Sequence, residues 1–266
     1  MTAPNPPFTS VHLPLQKDLS LANRLIALMP ADDRAIFLEH SEMIELKVQT
    51  VLTRSGENSD HAYFPVDSVV ATLLPGNSAD GLEIGLIGNE GMVNTSLVLG
   101  VRDCAFTSVV QGAGRSFKIH RRSLQKLLAG DSCLRMVLNR YIDVRMSHLA
   151  QQVACKNSHT VEQRLARWLL MTRDRAHANE LFLTHEVLAR MLGVRRESIS
   201  QSARSLQRHG LISYTRGYVM LMDAAALEQV ACACYRSDLA VYERTLRQPR
   251  EINGQMSAQD AGKALL

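Results

Sequence analysis

Leu183–Leu221 reads LTHEVLARMLGVRRESISQSARSLQRHGLISYTRGYVML, and the C-terminal half of the fold follows from it. Thr184 carries the hydroxyl of a helix N-cap, and Val187, Leu188 and Met191 after it share one apolar face. Gly193 supplies a sharp turn, and Ala189, four residues earlier, is small enough to let a second helix approach. That second helix runs from about Arg195 to Arg208, with Ile199, Ala203 and Leu206 inward, and Gly210 ends it with C-cap chemistry. Two short helices joined through a glycine turn predict a helix-turn-helix. Two β-rich runs about Arg216–Gly217 then predict a wing.

The exposed side chains of the second helix suit nucleic acid. Arginine bonds guanine O6 and N7 as a fork, glutamate accepts from cytosine N4, glutamine pairs with adenine, and serine hydroxyls suit phosphate. The candidate DNA contacts are therefore Thr184, Arg195, Arg196, Glu197, Ser198, Ser200, Gln201 and Arg204, with Arg216 of the wing on the backbone or minor groove. Arg196 and Glu197 on a merely solvated helix would mean nothing; the wing that follows favours DNA over that reading.

Charge is distributed to match. The chain of 266 residues has a formal charge of +4, which resolves as −1 over residues 1–150, +6 over 151–250 and −1 over 251–266. Of the 15 basic residues in the middle span, 14 are arginine, whose planar fork fits phosphate and base edges. Hydrophobic residues at 46% exclude disorder along most of the chain. No apolar run approaches the roughly 18 residues of a membrane span. MTAPNPPFTS lacks the basic start and apolar stretch of a signal peptide, so the cytoplasm is the expected compartment and no membrane partner is expected.

Working back from the motif, Thr160-Val-Glu-Gln163 fits a capping box and opens a helix whose apolar face includes Leu165, Trp168 and Leu169. Before it, HRRSLQKLL is a short helix stopping at Gly130, and Asp131 caps a long one reaching about Asn157. Leu134, Leu138, Tyr141, Leu149 and Val153 recur along that helix at spacings of three and four or sums of them, with His148 beside Leu149. A lone helix must bury such a face, and a two-fold mate is the economical solution, so these residues are the candidate dimer interface. From Glu42 to Ile119, alternating segments separated by SGENSD, PGNSADG and GNEGM predict a small all-β sandwich or barrel. A short helix precedes it, ended by Pro30, with Asp32 or Asp33 as cap of a second. The proline-rich first residues read as a mobile tail.

The five cysteines fit thiols in a reducing compartment rather than a disulfide framework. Cys232 and Cys234 form a C-x-C that could touch a metal; with no second pair nearby in sequence, the expectation is two small packing side chains and no metal ligands. No P-loop, nucleophile elbow or H-E-x-x-H occurs, so the chain is not expected to be an enzyme.

With L-T, A-R-M-L-G-V-R-R-E-S-I-S and L-Q-R-H-G-L-I in place, the chain resembles the CRP/FNR superfamily of bacterial transcription regulators from about Ser20 to Tyr235. The resemblance implies an α+β architecture. Its parts are an N-terminal β-roll (jelly-roll-like, of cyclic-nucleotide-binding type), a long dimerisation helix and a C-terminal winged helix-turn-helix. The expected divisions are a tail at 1–18, the roll at 19–130, the helix at 131–157, the winged domain at 158–236 and a tail at 237–266. It also implies base reading by Arg196 and Glu197 and phosphate contact by Ser198. Where many members have a second base-reading arginine, this chain has Gln201. The implied partners are double-stranded DNA with a near-palindromic operator, a second copy of the chain and RNA polymerase. A rival reading keeps the fold but makes it a small-molecule-sensing module whose winged helix binds protein.

The resemblance points to a cyclic nucleotide as effector, held by a Gly-Glu and, about ten residues on, an Arg. Here the region offers Gly88, Glu90, Gly91, Met92 and Arg102 as candidates, and the cassette is degenerate. Met92 stands where the carboxylate belongs in one register, and Arg102 falls twelve residues after Glu90 in the other, with Asp103 beside it. No cysteine precedes Cys104 to hold an iron–sulfur centre, and His12, His40 and His61 offer no haem site, so no cofactor is assigned.

Overall fold

The computed structural model describes residues 19–75, 81–129 and 132–246. The first elements are α1 (Arg24–Ala27) and α2 (Ala31–Glu39). Asn23 caps α1 by accepting the Leu25 and Ile26 N–H groups, and its amide donates to the Pro65 and Gly91 carbonyls at 2.9 Å, so this buried side chain is fully partnered. Neither Asp32 nor Asp33 caps α2. Pro30 holds the cap position, and both carboxylates lie in the first turn, where they face the positive end of the helix.

Seven strands follow: β1 (Ser41–Leu46), β2 (Val51–Thr53), β3 (His61–Pro65), β4 (Val69–Leu74), β5 (Leu82–Ile87), β6 (Thr107–Gly112) and β7 (Gly114–His120). They pair antiparallel in two sheets, β1-β7-β3 and β2-β6-β4-β5, which is the expected β-roll. β6 alternates half-buried and buried residues, as a strand with one covered face must, whereas β3 and β4 are buried almost throughout.

After α3 (Arg121–Leu127), α4 spans Cys133–Ser158, 26 residues and roughly 39 Å. Ser132 caps it by accepting the Arg135 N–H; the expected stop at Gly130 and cap at Asp131 lie outside the described residues. The N-terminal half of α4 corrects the expected dimer seam. Leu134, Leu138 and Tyr141 are 4%, 0% and 1% exposed, because they complete the core of their own roll with Phe64, Met92 and Phe117. His148 is likewise turned inward, its Nε2 lying 3.2 Å from the Asp238 carbonyl. The apolar residues that α4 leaves uncovered form a stripe that keeps Leu149 and Val153 of that recurrence and adds Ile142 and Met146: Met146 and Val153 are 65% and 66% exposed, with Ile142 and Leu149 half-buried beside them.

The second half comprises α5 (Val161–Ala176), β8 (Glu180–Phe182), α6 (His185–Leu192), α7 (Arg196–Arg208), β9 (Ile212–Thr215), β10 (Tyr218–Leu221), α8 (Ala224–Val230) and α9 (Cys234–Leu246). The capping box forms: Gln163 N–H donates to Thr160 Oγ1 at 3.3 Å, and Gln163 Oε1 accepts the Thr160 N–H at 3.1 Å. The segment from 237, expected as a tail, is corrected as far as Leu246: it is the body of α9. That helix buries Tyr235, Asp238, Tyr242 and Leu246 at spacings of three and four and packs along α4. Tyr242 Oη donates to the Glu90 carbonyl at 2.7 Å, so the C-terminal helix reaches back to the roll. Among the described residues, no helix is long and apolar enough to cross a membrane.

The two halves share a core. Val69, Ala71 and Leu86 of the roll pack in one cluster with Leu165, Trp168 and Leu169 of α5. Inside this junction, Glu83 is buried and accepts the Trp168 indole N–H at 3.2 Å. Burial pushes its carboxyl up to about 7, against the hydrogen bond from Trp168. A raised carboxyl pKa means that the unfolded chain ionises first, so stability falls as pH rises from about 4.5 towards 7 and stays low above it. Glu83→Gln is expected to flatten that decline and to gain roughly 2–3 kcal/mol at pH 8. Urea unfolding of both proteins at pH 5 and pH 8 checks it; parallel declines would contradict the assignment.

Candidate nucleic-acid interface

Thr184 caps α6 by accepting the Val187 N–H at 3.2 Å, a structural task that uses its hydroxyl oxygen as acceptor and not its O–H. At the other end, Gly193 has φ +62°, and the Gly193 and Val194 N–H groups return to the Arg190 and Ala189 carbonyls. This is the Schellman closure expected of a glycine at that place, and it turns the chain into α7 within three residues. α7 ends the same way, with Leu211 N–H on the Leu206 carbonyl and Gly210 N–H on the Gln207 carbonyl, both at 3.0 Å.

Ile199, Ser202, Ala203 and Leu206 are the buried face of α7. At 100° per residue, the face opposite carries Glu197, Gln201, Arg204 and Arg208, all exposed, with exposed Arg195 and Arg196 at the N-terminus. Arg208 was absent from the expected contacts. Its position eleven residues after Glu197, three helical turns along one stripe, is the signal that finds it. Ser198 is half-buried on a flank. Ser200 is turned towards α6: its Oγ lies 2.9 Å from His185 Nδ1 and donates to the Arg196 carbonyl at 3.1 Å. Ser200 thus braces the two helices.

His185 is the pin of the arrangement. Its ring stacks on Tyr214 of β9, centroids 4.4 Å apart, while Tyr214 Oη donates to the Leu183 carbonyl at 2.6 Å. Burial lowers the His185 pKa, and Arg196 and Arg204 reinforce the shift, so the imidazole is neutral near pH 7. The sheet runs β8-β10-β9, and Arg216 and Gly217 take φ +50° and +91° between β9 and β10, as a type I′ hairpin turn requires. Arg216 is exposed at the wing tip.

The expected effector residues do not converge. Arg102 points outward to Asp60, at 3.1 Å and nearly half exposed. Glu90 is committed to the junction between the halves, with Arg175 Nε at 2.8 Å and the Gly88 N–H at 2.9 Å. Gly88 itself packs against the Arg175 stem. Gly91 exists for close approach: a Cβ there would lie 2.0 Å from the Tyr141 hydroxyl. Met92 is wholly buried in the core. A cavity of about 200 Å³ does lie between the roll and α4, lined by Met92, Thr72, Phe106 and Met146, but its cation is Arg145 of α4, not Arg102. The nucleotide cassette therefore fails on geometry as well as on spacing.

Residues 163–230 match the Crp-like helix-turn-helix domain family. No curated protein matches the chain in sequence. Among solved structures, the chain is similar to the c-di-GMP responsive global regulator CLP of Xanthomonas campestris (18% identity, TM-score 0.60, covering 73% of this chain and 100% of that one). It is also similar to a crp/fnr-family regulator of Eubacterium rectale (18%, 0.61, 79% and 98%) and to FixK2 of Bradyrhizobium japonicum (16%, 0.59, 73% and 98%). Residues 163–230 are thus a Crp-like helix-turn-helix domain, carried on a fold like that of the CRP/FNR regulators.

Proposed function

We propose that the chain is a sequence-specific DNA-binding transcription regulator that acts in the cytoplasm as a homodimer. The observation that carries this reading is the outward face of α7, which presents Arg196, Glu197, Gln201, Arg204 and Arg208 to solvent from a helix braced by His185 and the wing. Side chains that need no partner inside the fold are free to read base edges in a major groove. Arg195 and Arg216 flank them with charge for phosphate. The divisions at 19–130, 131–157 and 158–236 serve as sensing, pairing and reading parts. Pairing uses the exposed α4 stripe of Ile142, Met146, Leu149 and Val153, whose spacings of four, three and four make a coiled-coil seam.

A gel-shift titration on genomic fragments at several salt concentrations tests it. Binding that steepens as salt falls supports phosphate neutralisation; no binding at about 50 mM salt favours a winged helix that binds protein. On a selected site, Arg196→Ala is expected to cost roughly 1–3 kcal/mol per half-site and to relax preference at one base pair. Arg216→Ala weakens all sequences alike. Equal loss on cognate and scrambled DNA would remove Arg196 from base reading.

A further inference from the structure

Cys232 and Cys234, expected only to pack, acquire a second pair in three dimensions. Cys155 and His159 lie one turn apart at the C-terminal end of α4, 73 or more residues away in sequence, and meet Cys232, between α8 and α9, and Cys234, the first residue of α9. Cys155 Sγ is 3.5 Å from Cys232 Sγ, and Cys234 Sγ is 3.7 Å from His159 Nδ1. All four donor atoms lie within 4.8 Å of one another, and the three cysteines are 2–3% exposed.

We infer that Cys155, His159, Cys232 and Cys234 bind one thiophilic divalent cation of the zinc class in a closed tetrahedral site. Four ligands on such an ion, with Zn–S near 2.3 Å, stand about 3.8 Å apart, and the distances found bracket that edge. A cluster of several metal atoms holds its ligands further apart than this. Loading displaces the remaining thiol protons to solvent, so three thiolates and the ion leave a net charge of −1 in a buried place. The surroundings are built to receive it. Gln151 Nε2 donates to Cys234 Sγ at 2.9 Å, and Arg167 Nη1 to Cys155 Sγ at 3.7 Å. Such outer N–H donors are the usual support of bound thiolates. His159 directly precedes Thr160, the cap of α5, so the ion ties the end of the long helix to the loop that launches α9. The site is closed by four protein ligands, which makes it structural: it fixes the angle at which the second half leaves α4.

Cobalt titration of the full-length chain, reduced and stripped with chelator, tests this. One Co²⁺ per chain is expected, with sulfur-to-cobalt charge transfer in the near ultraviolet and the intense visible bands of tetrahedral cobalt, all removed by added Zn²⁺. Cys232→Ser or Cys234→Ser abolishes the charge-transfer band, and the Cys104→Ser/Cys133→Ser double variant keeps it. Gln151→Leu, which touches no ligand bond, retains the tetrahedral spectrum but weakens affinity roughly 10–100-fold. An octahedral spectrum overturns the site, as does a band unchanged in Cys232→Ser or lost in the Cys104/Cys133 variant. A Cys155–Cys232 disulfide that forms on air oxidation and is kept when Zn²⁺ and reductant are both supplied overturns it too.

Discussion

Asp238→Ala is expected to cost about 3–5 kcal/mol of stability and to lower the melting temperature by on the order of 10 °C. Asp238 lies on α9 and Arg167 on α5; they form a short ion pair with side chains 6% and 10% exposed. Removing the carboxylate leaves a guanidinium in the interior with only Cys155 Sγ, at 3.7 Å, as a polar partner among the described residues, and that poorly compensated charge, rather than a lost attraction, sets the size of the effect. A double variant, Arg167→Met with Asp238→Leu, is therefore expected to recover most of the loss by packing apolar volume where two charges had been desolvated. The comparison separates docking of α9 from generic damage to a helix. Chemical denaturation of the single and double variants checks both halves; a single-variant cost under about 1 kcal/mol would mean that α9 does not lie against α5.

The second large effect concerns pairing. Met146→Glu with Val153→Glu places two carboxylates on each α4 stripe, and a two-fold mate would have to desolvate four of them. Dissociation is expected to rise at least roughly 100-fold, about 3 kcal/mol, with folding unimpaired because both side chains face solvent in the single chain. Sedimentation equilibrium reads it directly. Leu134→Ala is the informative contrast: it creates a cavity in the roll and costs about 2–5 kcal/mol of stability without a specific effect on association. Dissociation by Leu134→Ala but not by the glutamates would restore the seam first read from the periodicity.

That seam shows where sequence reasoning stops. α4 is apolar on more than one side. Leu134, Leu138 and Tyr141 keep helical spacing, and so do Ile142, Met146, Leu149 and Val153, yet periodicity does not say whether a face is covered by its own chain or by another. The helix-turn-helix was legible because its punctuation is local: the Thr184 cap, Gly193, Gly210 and the Arg216–Gly217 turn each act within a few residues. The capping box at Thr160 was legible for the same reason. The effector cassette was not, since spacing through the irregular segment between β5 and β6 leaves open which way Arg102 points, and Asp60 draws it outward. From 237 on the sequence reads as a tail because Asp238, Glu243 and Arg244 interrupt the apolar pattern of α9; only the docked partner Arg167 accounts for a buried aspartate there. The Cys155–His159 and Cys232–Cys234 pairs are each weak signals alone, and only the packing of α4 against α9 joins them.

Two copies reading DNA together through α7 can be caught by selection from random duplex DNA with the full-length chain. A near-palindromic site with half-site centres about 34 Å apart, one helical turn, is expected to be enriched. The Met146→Glu/Val153→Glu variant is expected to fail to enrich that site. Recovery of no duplex above background at low salt, or of a single asymmetric half-site insensitive to the α4 substitutions, would contradict it.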